Sequence, residues 1–149
     1  MYSFLIMVKI VLVDDHEVVR KCIWSLLDKE EDFQVIGEAA NGYELLELLQ
    51  NEASLPDIVL TDMNMPGLSG LDIIKQLQLV FPQIRIIIFS SEDHEAYVSK
   101  AMRAGASGYL LKDICEDELI LAVKQVYSGE KYICSELASL FADKQKYVA

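Results

Sequence analysis

The sequence predicts a doubly wound α/β domain with a five-stranded parallel sheet in the order 2-1-3-4-5. Five short apolar runs of strand length alternate with segments of helical periodicity. The runs are apolar at consecutive positions, which is typical of parallel strands covered by helices on both faces. The chain has 149 residues, 52% of them apolar, so it can bury a core without metal or disulfide support.

The predicted strands share β-branched or Leu-rich composition and lengths of about five residues. Right-handed crossovers between parallel strands place the intervening helices on both faces of the sheet. The carboxyl ends of all five strands then lie along one edge, where folds of this kind bind their ligands. The strands are predicted at Val8–Val13, Phe33–Gly37, Ile58–Thr61, Ile84–Ser90 and Ser107–Leu111.

The predicted helices each carry an apolar stripe at a spacing of three and four residues. The fourth, over Tyr97–Ala104, is small and weakly apolar, which is typical of an element that is held loosely. Acidic residues at 116–118 lie favourably at the start of the fifth. The other stripes are Val19, Cys22, Ile23, Leu26 and Leu27; Leu45, Leu48 and Leu49; Ile73, Ile74 and Leu77; and Leu119, Ala122, Val123 and Val126.

The domain is predicted to span residues 8–129, with short segments at either end. Residues 1–7 are interpreted as an N-terminal extension, since Met7 directly precedes the first strand. Residues 130–149 carry Leu137, Leu140 and Phe141 at helical spacing and are interpreted as an appended linker helix.

Charge and composition exclude several classes of function. With 13 basic and 24 acidic residues the net charge is −11 and Lys and Arg are not clustered, so this segment is not expected to contact nucleic acid. The three scattered cysteines suggest neither a disulfide framework nor a zinc site and favour a cytoplasmic location. No basic region precedes the apolar start, and no run is long enough to span a membrane.

Polar side chains follow four of the five predicted strands. Asp14 and Asp15 follow the first, Asp62 the third, Ser90 ends the fourth, and Lys112 follows the fifth, whereas the second contributes none. Because neighbouring strands are about 4.8 Å apart, we expect the acids to lie close together and the long lysine stem to reach them.

Three carboxylates in one place repel each other unless a cation intervenes. Oxygen ligands with room for water favour Mg²⁺, with Mn²⁺ as a possible substitute. With a metal ion on one side and Lys112 on the other, Asp62 lies where an incoming phosphoryl group meets positive charge on two flanks. Asp62 is therefore the predicted nucleophile, forming an aspartyl phosphate, with Ser90 as a hydroxyl donor.

The competing interpretation is that these acids only cap helices, which is the more common role of Asp14 or Asp15 taken alone. An acid pair, an acid, a hydroxyl and a lysine at four strand ends in the matching spatial order favour the functional interpretation.

From about Val8 to Gly129 the residues resemble the receiver domain of two-component response regulators, which has a flavodoxin-like fold. The acidic pair lies in Val-Leu-Val-Asp14-Asp15-His, the phosphoacceptor Asp62 in Thr-Asp62-Met-Asn64-Met-Pro-Gly, and the lysine in Gly-Tyr109-Leu-Leu-Lys112-Asp. The resemblance implies metal binding by Asp14, Asp15, Asp62 and the backbone carbonyl of Asn64, and switching by Ser90 and Tyr109.

The Leu-Lys-Asp ending and the segment Gly129–Ile133 are most similar to the NarL/FixJ (LuxR-type) subfamily. Members usually continue into a helix-turn-helix DNA-binding domain. The resemblance therefore implies a transcription regulator that receives its phosphoryl group from a sensor histidine kinase or a phosphotransfer domain and forms a homodimer when phosphorylated. Such a protein is not an enzyme, since it catalyses only its own phosphorylation and dephosphorylation.

Three positions add detail to this resemblance. Asp113 replaces the proline that many receivers carry after the lysine, so a cis peptide is not expected there. In the family, the residues two beyond the acceptor and two beyond the switch hydroxyl tune hydrolysis of the acyl phosphate. Here they are Asn64 and Glu92, an amide and an acid that can orient water, which predicts a short-lived phosphorylated state.

Three alternatives stay open at this point. The chain could be a stand-alone receiver or a phosphorelay shuttle without a DNA-binding domain. A phosphatase of the haloacid-dehalogenase type also uses an aspartyl nucleophile with Mg²⁺, but its nucleophile lies on the first strand with a second Asp two residues later, where this chain has His16. An inert receiver-like module would normally lack an acid or the lysine.

Overall fold

The computed structural model describes residues 7–51 and 55–147, with side chains described up to residue 142. Most of the expected N-terminal extension and the last two residues of the expected linker therefore lie outside the described residues. The elements are β1 Val8–Val13, α1 Glu17–Asp28, β2 Phe33–Ala39, α2 Gly42–Leu49, β3 Ile58–Thr61, α3 Gly70–Val80, β4 Arg85–Ser90, α4 Glu95–Ala104, β5 Gly108–Leu111, α5 Glu116–Tyr127, β6 Tyr132–Ile133 and α6 Ser135–Tyr147.

The sheet is parallel throughout, with strands in the order β2-β1-β3-β4-β5-β6. The predicted order of the first five strands is confirmed, and β1 and β3 have the predicted bounds. The predicted number of strands is wrong, because β6 pairs with the outer edge of β5. A two-residue strand gives no periodicity, so the sequence pattern did not reveal it.

The core lies on both faces of the central strands. Every residue of β3 and β5 is buried, and Ile86, Ile87 and Ile88 of β4 are fully buried. Strands of this kind cannot expose either face to water, so their consecutive apolar residues require helices on both sides.

Local signals at the start of α3 fix the loop that follows β3. Ser69 and Asp72 form a capping box, in which each side chain accepts a hydrogen bond from the backbone N–H of the other. Gly70 begins the helix against the end of β3, where a Cβ atom would lie 2.5 Å from the carbonyl oxygen of Asp62. Only glycine permits this close approach of α3 to the strand end.

The segment after α5 packs against the domain rather than leaving it. The backbone N–H groups of Tyr132 and Cys134 donate to the carbonyl oxygens of Ser107 and Tyr109 at 3.0 and 3.1 Å. Cys134 and Leu137 are fully buried. The expected helix is present as α6, but the strand before it and its first turn belong to the packed unit, which extends beyond Gly129.

Glu118 joins α5 to this segment. Its carboxylate accepts hydrogen bonds from the Tyr132 hydroxyl at 2.7 Å and from the backbone N–H and hydroxyl of Ser135 at 2.7 and 3.2 Å. Burial alone would raise the pKa of Glu118, but the hydrogen bonds from Tyr132 and Ser135 outweigh it and lower the pKa. The ionised carboxylate therefore holds the start of α6 against α5.

We expect Glu118→Gln to loosen α6 without unfolding the sheet. Charge-assisted hydrogen bonds contribute about 1.5–3 kcal/mol each, and partial exposure reduces this, so backbone amides of residues 136–142 should exchange about tenfold faster. Hydrogen exchange detected by mass spectrometry measures the change. Glu116→Gln, in the same helical turn, is the matched control, since Glu116 makes only a 3.9 Å ion pair with Lys29.

The pH dependence of the wild-type chain follows from the same carboxylate. A carboxyl whose pKa is lowered on folding stabilises the fold above its ordinary pKa of 4.5 and loses this effect as the pH falls through the lowered value. Protection of α6 should therefore fall in that acidic range in the wild type and change less in Glu118→Gln. Equal pH dependence in both chains would contradict the assignment.

Candidate active site at the carboxyl edge of the sheet

Parallel backbone pairing continues one residue past the ends of β1, β3 and β5. This pairing positions the two acids and the lysine that follow these strands. The N–H of Asp14 donates to Ala39, that of Asp62 to Val13, and that of Lys112 to Ser90, at 2.9–3.1 Å. Because these residues stand in register at one edge, their side chains share the same crevice. Asp14 and Asp62 are both buried there, with 5% and 6% of their surface exposed.

Lys112 lies between the two buried acids. Its Nζ is 3.0 Å from Asp14 Oδ2 and 3.1 Å from Asp62 Oδ2. Burial by itself would lower the pKa of the ammonium group, but its hydrogen bonds to Asp14 and Asp62 outweigh burial and raise the pKa. The lysine is thus a fixed positive charge at the point where the sequence analysis placed it.

The second oxygen of Asp62 is held by the backbone of the following loop. Oδ1 accepts the N–H of Met63 at 2.7 Å and lies 3.4 Å from the N–H of Asn64. The carbonyl of Met63 in turn accepts the N–H of Gly70 at 2.9 Å. The side chain of Asn64 is exposed. The orientation of the Asp62 carboxylate is therefore fixed from both sides, by the loop and by Lys112.

Asp14, Asp15, His16 and Asp62 bring together one oxygen or nitrogen each within 4.8 Å of one another. A divalent cation fits this set, because hard ions take carboxylate oxygens and the more exposed Asp15 leaves the site open to water. His16 directly precedes α1, and its Nδ1 lies 3.1 Å from Oδ1 of both Asp14 and Asp15.

Arg20 supports the acidic pair and was missed in the sequence analysis. Its guanidinium donates to the backbone carbonyl of Asp14 through one NH group and to Glu38 Oε1 at 3.1 Å through Nε. Glu38 also accepts from Lys21 Nζ at 3.0 Å. Burial alone would raise the pKa of Glu38, but the hydrogen bonds from Lys21 and Arg20 lower it.

The expectation that the second strand contributes no polar group to this edge is therefore wrong. β2 continues past the predicted end at Gly37 to Ala39, which places Glu38 on the strand and within reach of α1. An arginine next to Val19, the first residue of the apolar stripe of α1, and an acid next to a strand end were the available signals. Neither has a distinctive spacing.

Ser90 and Tyr109 hold the loop that follows β4. The N–H of Glu92 donates to Ser90 Oγ at 3.1 Å, and the Tyr109 hydroxyl donates to the carbonyl of Glu92 at 2.7 Å. Tyr109 is fully buried, and this burial raises the pKa of its hydroxyl. The Tyr109 ring therefore lies inside the domain in this structure, and both polar backbone groups of Glu92 are occupied.

Trp24 and His94 lie outside this arrangement. Trp24 is half-buried, and Lys21 Nζ lies 5.6 Å from its ring centroid, so it packs against its own helix as well as facing solvent. His94 precedes α4 and is exposed, with its ring 6.2 Å from that of Tyr97. The peptide between Lys112 and Asp113 is trans, as are all peptide bonds in the described part of the chain.

The chain matches the family model of the response regulator receiver domain over residues 10–124. It is 38% identical over 133 residues to the nitrate/nitrite response regulator protein NarL of Escherichia coli (strain K12), an alignment that covers 89% of this chain and 61% of NarL. It is 37% identical over 126 residues to the transcriptional regulatory protein DegU of Brevibacillus brevis, covering 85% of this chain and 52% of DegU. The chain thus spans less than two thirds of the length of these relatives.

Solved structures give the same result. A two-component response regulator of the LuxR family from Aurantimonas sp. SI85-9A1 superimposes with a TM-score of 0.86 at 32% identity, covering 93% of this chain and 98% of that one. The receiver domain of the response regulator NarL from Mycobacterium tuberculosis gives a TM-score of 0.78 at 33% identity, covering 83% and 98%.

The chain is therefore a receiver domain and belongs to the response regulator receiver family. Its relatives and structural neighbours make it a receiver of the NarL/FixJ, or LuxR, type. In the described part of the chain no helix is both long and apolar enough to cross a bilayer.

We expect Lys112→Met to destabilise the fold, because it leaves the buried carboxylates of Asp14 and Asp62 without a positive partner. Breaking a fully buried pair costs about 3–5 kcal/mol, and the 21% exposure of Lys112 reduces the expected loss to about 2 kcal/mol. Urea unfolding at neutral pH without divalent metal measures it.

Lys75→Met, at an exposed position on α3, is the control and should change stability little. Adding Asp14→Asn to Lys112→Met should restore part of the loss, since one of the two facing charges is then removed. A Lys112→Met chain as stable as the wild type would show that the lysine does not offset the repulsion.

Proposed function

We propose that this chain is a phosphorylation-controlled switch that accepts a phosphoryl group on Asp62 and controls a transcriptional output. The observation that carries the proposal is the position of Lys112 Nζ, 3.0 and 3.1 Å from the carboxylates of Asp14 and Asp62, beside a set of metal-ligating atoms. Phosphoryl transfer needs positioned charge more than covalent chemistry, and this arrangement provides it.

The acceptor step uses one oxygen of Asp62 as the nucleophile. In our proposal it attacks the phosphorus of a phosphohistidine on a sensor histidine kinase or a phosphotransfer domain. The new P–O bond forms as the P–N bond breaks, and the imidazole leaves with the bonding electron pair and takes up a proton. Lys112 stabilises the charge that develops on the transferred oxygens, and the N–H groups of Met63 and Asn64 keep the carboxylate oriented.

Asp14, Asp15, Asp62 and the backbone carbonyl of Asn64 are the residues that would hold Mg²⁺, or Mn²⁺ in its place. Bound there, the ion would neutralise part of the charge on the phosphoryl oxygens. Without a metal ion, a phosphate of almost two negative charges would be added on Asp62 beside the two remaining carboxylates, Asp14 and Asp15. The chemistry of these donors supports a hard divalent ion, and the support from Arg20 keeps the acidic pair in position.

The switch in this proposal acts through the loop at Glu92. A phosphoryl group on Asp62 attracts the hydroxyl of Ser90, which then releases the N–H of Glu92. Tyr109 binds the carbonyl of the same residue, so after the loss of the Ser90 contact the loop is held by only one of these two hydrogen bonds. The loop and the following helix α4 can then change position. The exposed surface of α4, β5 and α5 would change as a result.

An apolar groove between α1 and α5, with a volume of about 290 Å³, reaches from Val18 to Lys112. Its position supports contact with a helical partner that presents a phosphohistidine to Asp62. The partner would cover the exposed side chain of Val18, which is 79% accessible. We propose that the kinase or phosphotransfer domain binds at this face, in the cytoplasm.

The output of the switch follows from the type of receiver. DegU is a transcriptional regulatory protein, and the aligned segment covers 52% of DegU and 61% of the response regulator NarL. RcsB, 25% identical to this chain with a TM-score of 0.83, has been solved bound to DNA. We propose that residues 8–129, extended by the packed strand β6 and the first turn of α6, form the receiver. In this proposal the rest of 130–149 leads to a DNA-binding output domain, and phosphorylation promotes a homodimer. The net charge of −11 argues against DNA contact by the receiver itself.

The acceptor is tested by incubating the chain with acetyl phosphate and Mg²⁺ and measuring the intact mass. We expect the wild type to gain one phosphoryl group and Asp62→Ala to gain none. Asp57→Asn is the matched control, because Asp57 lies before β3, at the opposite edge, where its carboxylate accepts the N–H of Lys9 at 2.9 Å. Labelling of Asp62→Ala, or none of Asp57→Asn, contradicts the assignment.

The same incubation separates the alternatives. A phosphatase of the haloacid-dehalogenase type would release phosphate from a small phosphate ester over many turnovers, whereas a receiver would be modified once. A phosphorelay shuttle would pass its phosphoryl group to a phosphotransfer histidine without any change in dimerisation. An inert module would show neither reaction.

We expect the phosphorylated state to be short-lived because Asn64 and Glu92 flank the acceptor. A fully positioned general base raises a reaction rate by about a hundredfold or more. Asn64→Arg and Glu92→Ala each remove a group that only orients water, so each should slow phosphate loss by about tenfold. The decay of the phosphorylated mass after removal of acetyl phosphate measures this. Asp93→Ala, an exposed acid next to Glu92, is the control. Unchanged decay in both variants would refute the role.

A further inference from the structure

His16 is the member of the site whose position the proposed function does not explain. Its Nδ1 lies 3.1 Å from Asp14 Oδ1 and also 3.1 Å from Asp15 Oδ1, and its backbone N–H donates to Asp14 Oδ1 at 2.8 Å. The side chain is 66% exposed, so burial does not force the ring into this position. The ring nitrogen instead lies equally close to one oxygen of each carboxylate.

The two distances from Nδ1 match the separation of adjacent ligands in a metal coordination sphere. Ligands at about 2.1 Å in octahedral geometry are separated by about 3.0 Å when they are adjacent. The Nδ1 atom has this separation from both carboxylate oxygens, and the set formed with Asp62 lies within 4.8 Å. A cation could therefore bind where Nδ1 and the oxygens of the two acids approach one another.

Lys112 does not occupy this side of the acidic pair. It binds Oδ2 of Asp14 and Oδ2 of Asp62, whereas His16 faces Oδ1 of Asp14 and Oδ1 of Asp15. The two oxygens of Asp14 thus separate a lysine side from an imidazole side. The backbone bond from the N–H of His16 keeps Asp14 Oδ1 on the imidazole side.

We infer that His16 Nδ1 is a nitrogen ligand of this cation site and that it gives the site a preference for transition-metal ions over Mg²⁺. Imidazole is a good ligand for Co²⁺, Ni²⁺ and Zn²⁺, whereas Mg²⁺ prefers oxygen and water. The inference rests on the proposed function, since it deepens the metal site of the same crevice. It assigns the choice of metal to one exposed side chain.

The test compares Co²⁺ and Mg²⁺ binding, measured by titration calorimetry, with the visible absorption of Co²⁺ as a second readout. We expect His16→Ala to weaken Co²⁺ binding by about tenfold or more and Mg²⁺ binding by less than about twofold. The Co²⁺ spectrum should change at the same time. Mg²⁺ should displace Co²⁺ from the wild type, which ties both ions to one site.

His94→Ala is the matched control, because the chain has two histidines and His94 lies at the start of α4. It should leave both affinities unchanged. His16→Asn keeps a side-chain N–H donor for the carboxylates but lacks the imidazole nitrogen, so it should behave like His16→Ala.

The outcomes distinguish the inference from the proposed function. If the wild type binds no Mg²⁺, the proposed metal site itself is wrong and the inference is overturned with it. If Mg²⁺ binds normally but His16→Ala leaves the ratio of Co²⁺ to Mg²⁺ affinity unchanged, the inference alone is wrong. Retention of Co²⁺ affinity in His16→Asn would also overturn it, because a hydrogen bond to the acids would then be sufficient.

Discussion

The ammonium group of Lys112 between the carboxylates of Asp14 and Asp62 is the interaction on which the rest of the site depends. Two buried acids at the ends of neighbouring strands repel each other, and the lysine makes their proximity tolerable. The parallel sheet fixes the distance, since β1 separates β2 from β3 and the backbone pairing continues through Asp62. The same placement leaves the other oxygens of Asp14 and Asp62 available to backbone N–H groups and to the imidazole of His16.

Most of the fold and the residues at four strand ends could be predicted from the sequence, because long apolar runs and their polar ends are strong signals. The bounds of β1 and β3 coincide with the prediction. The contributions that escaped prediction depend on contacts between elements far apart in sequence. Arg20 reaches Glu38 and the carbonyl of Asp14, a combination that no spacing along the chain reveals. Strand β6 is only two residues long and gains its place from the free edge of β5.

The strand that carries Tyr109 links the site to the C-terminal segment. β5 pairs with β4, which ends at Ser90, and on its other side with β6, which leads directly into α6. Tyr109 binds the loop after β4 through its hydroxyl and pairs with Ile133 and Cys134 through its backbone. A displacement at the loop therefore has a short and continuous route of hydrogen bonds to the start of α6. Glu118 fixes the far end of that route to α5.

The contact of Gly70 with the carbonyl oxygen of Asp62 has a consequence for how this domain can diversify. Because α3 begins directly against the end of β3, any side chain at position 70 would displace the peptide that carries the Asp62 carboxylate. Substitutions that leave the strand end in place are therefore expected at exposed loop positions such as Asn64, where a new side chain meets water. Substitution is restricted at Gly70 beneath the site and tolerated at the exposed loop positions around it.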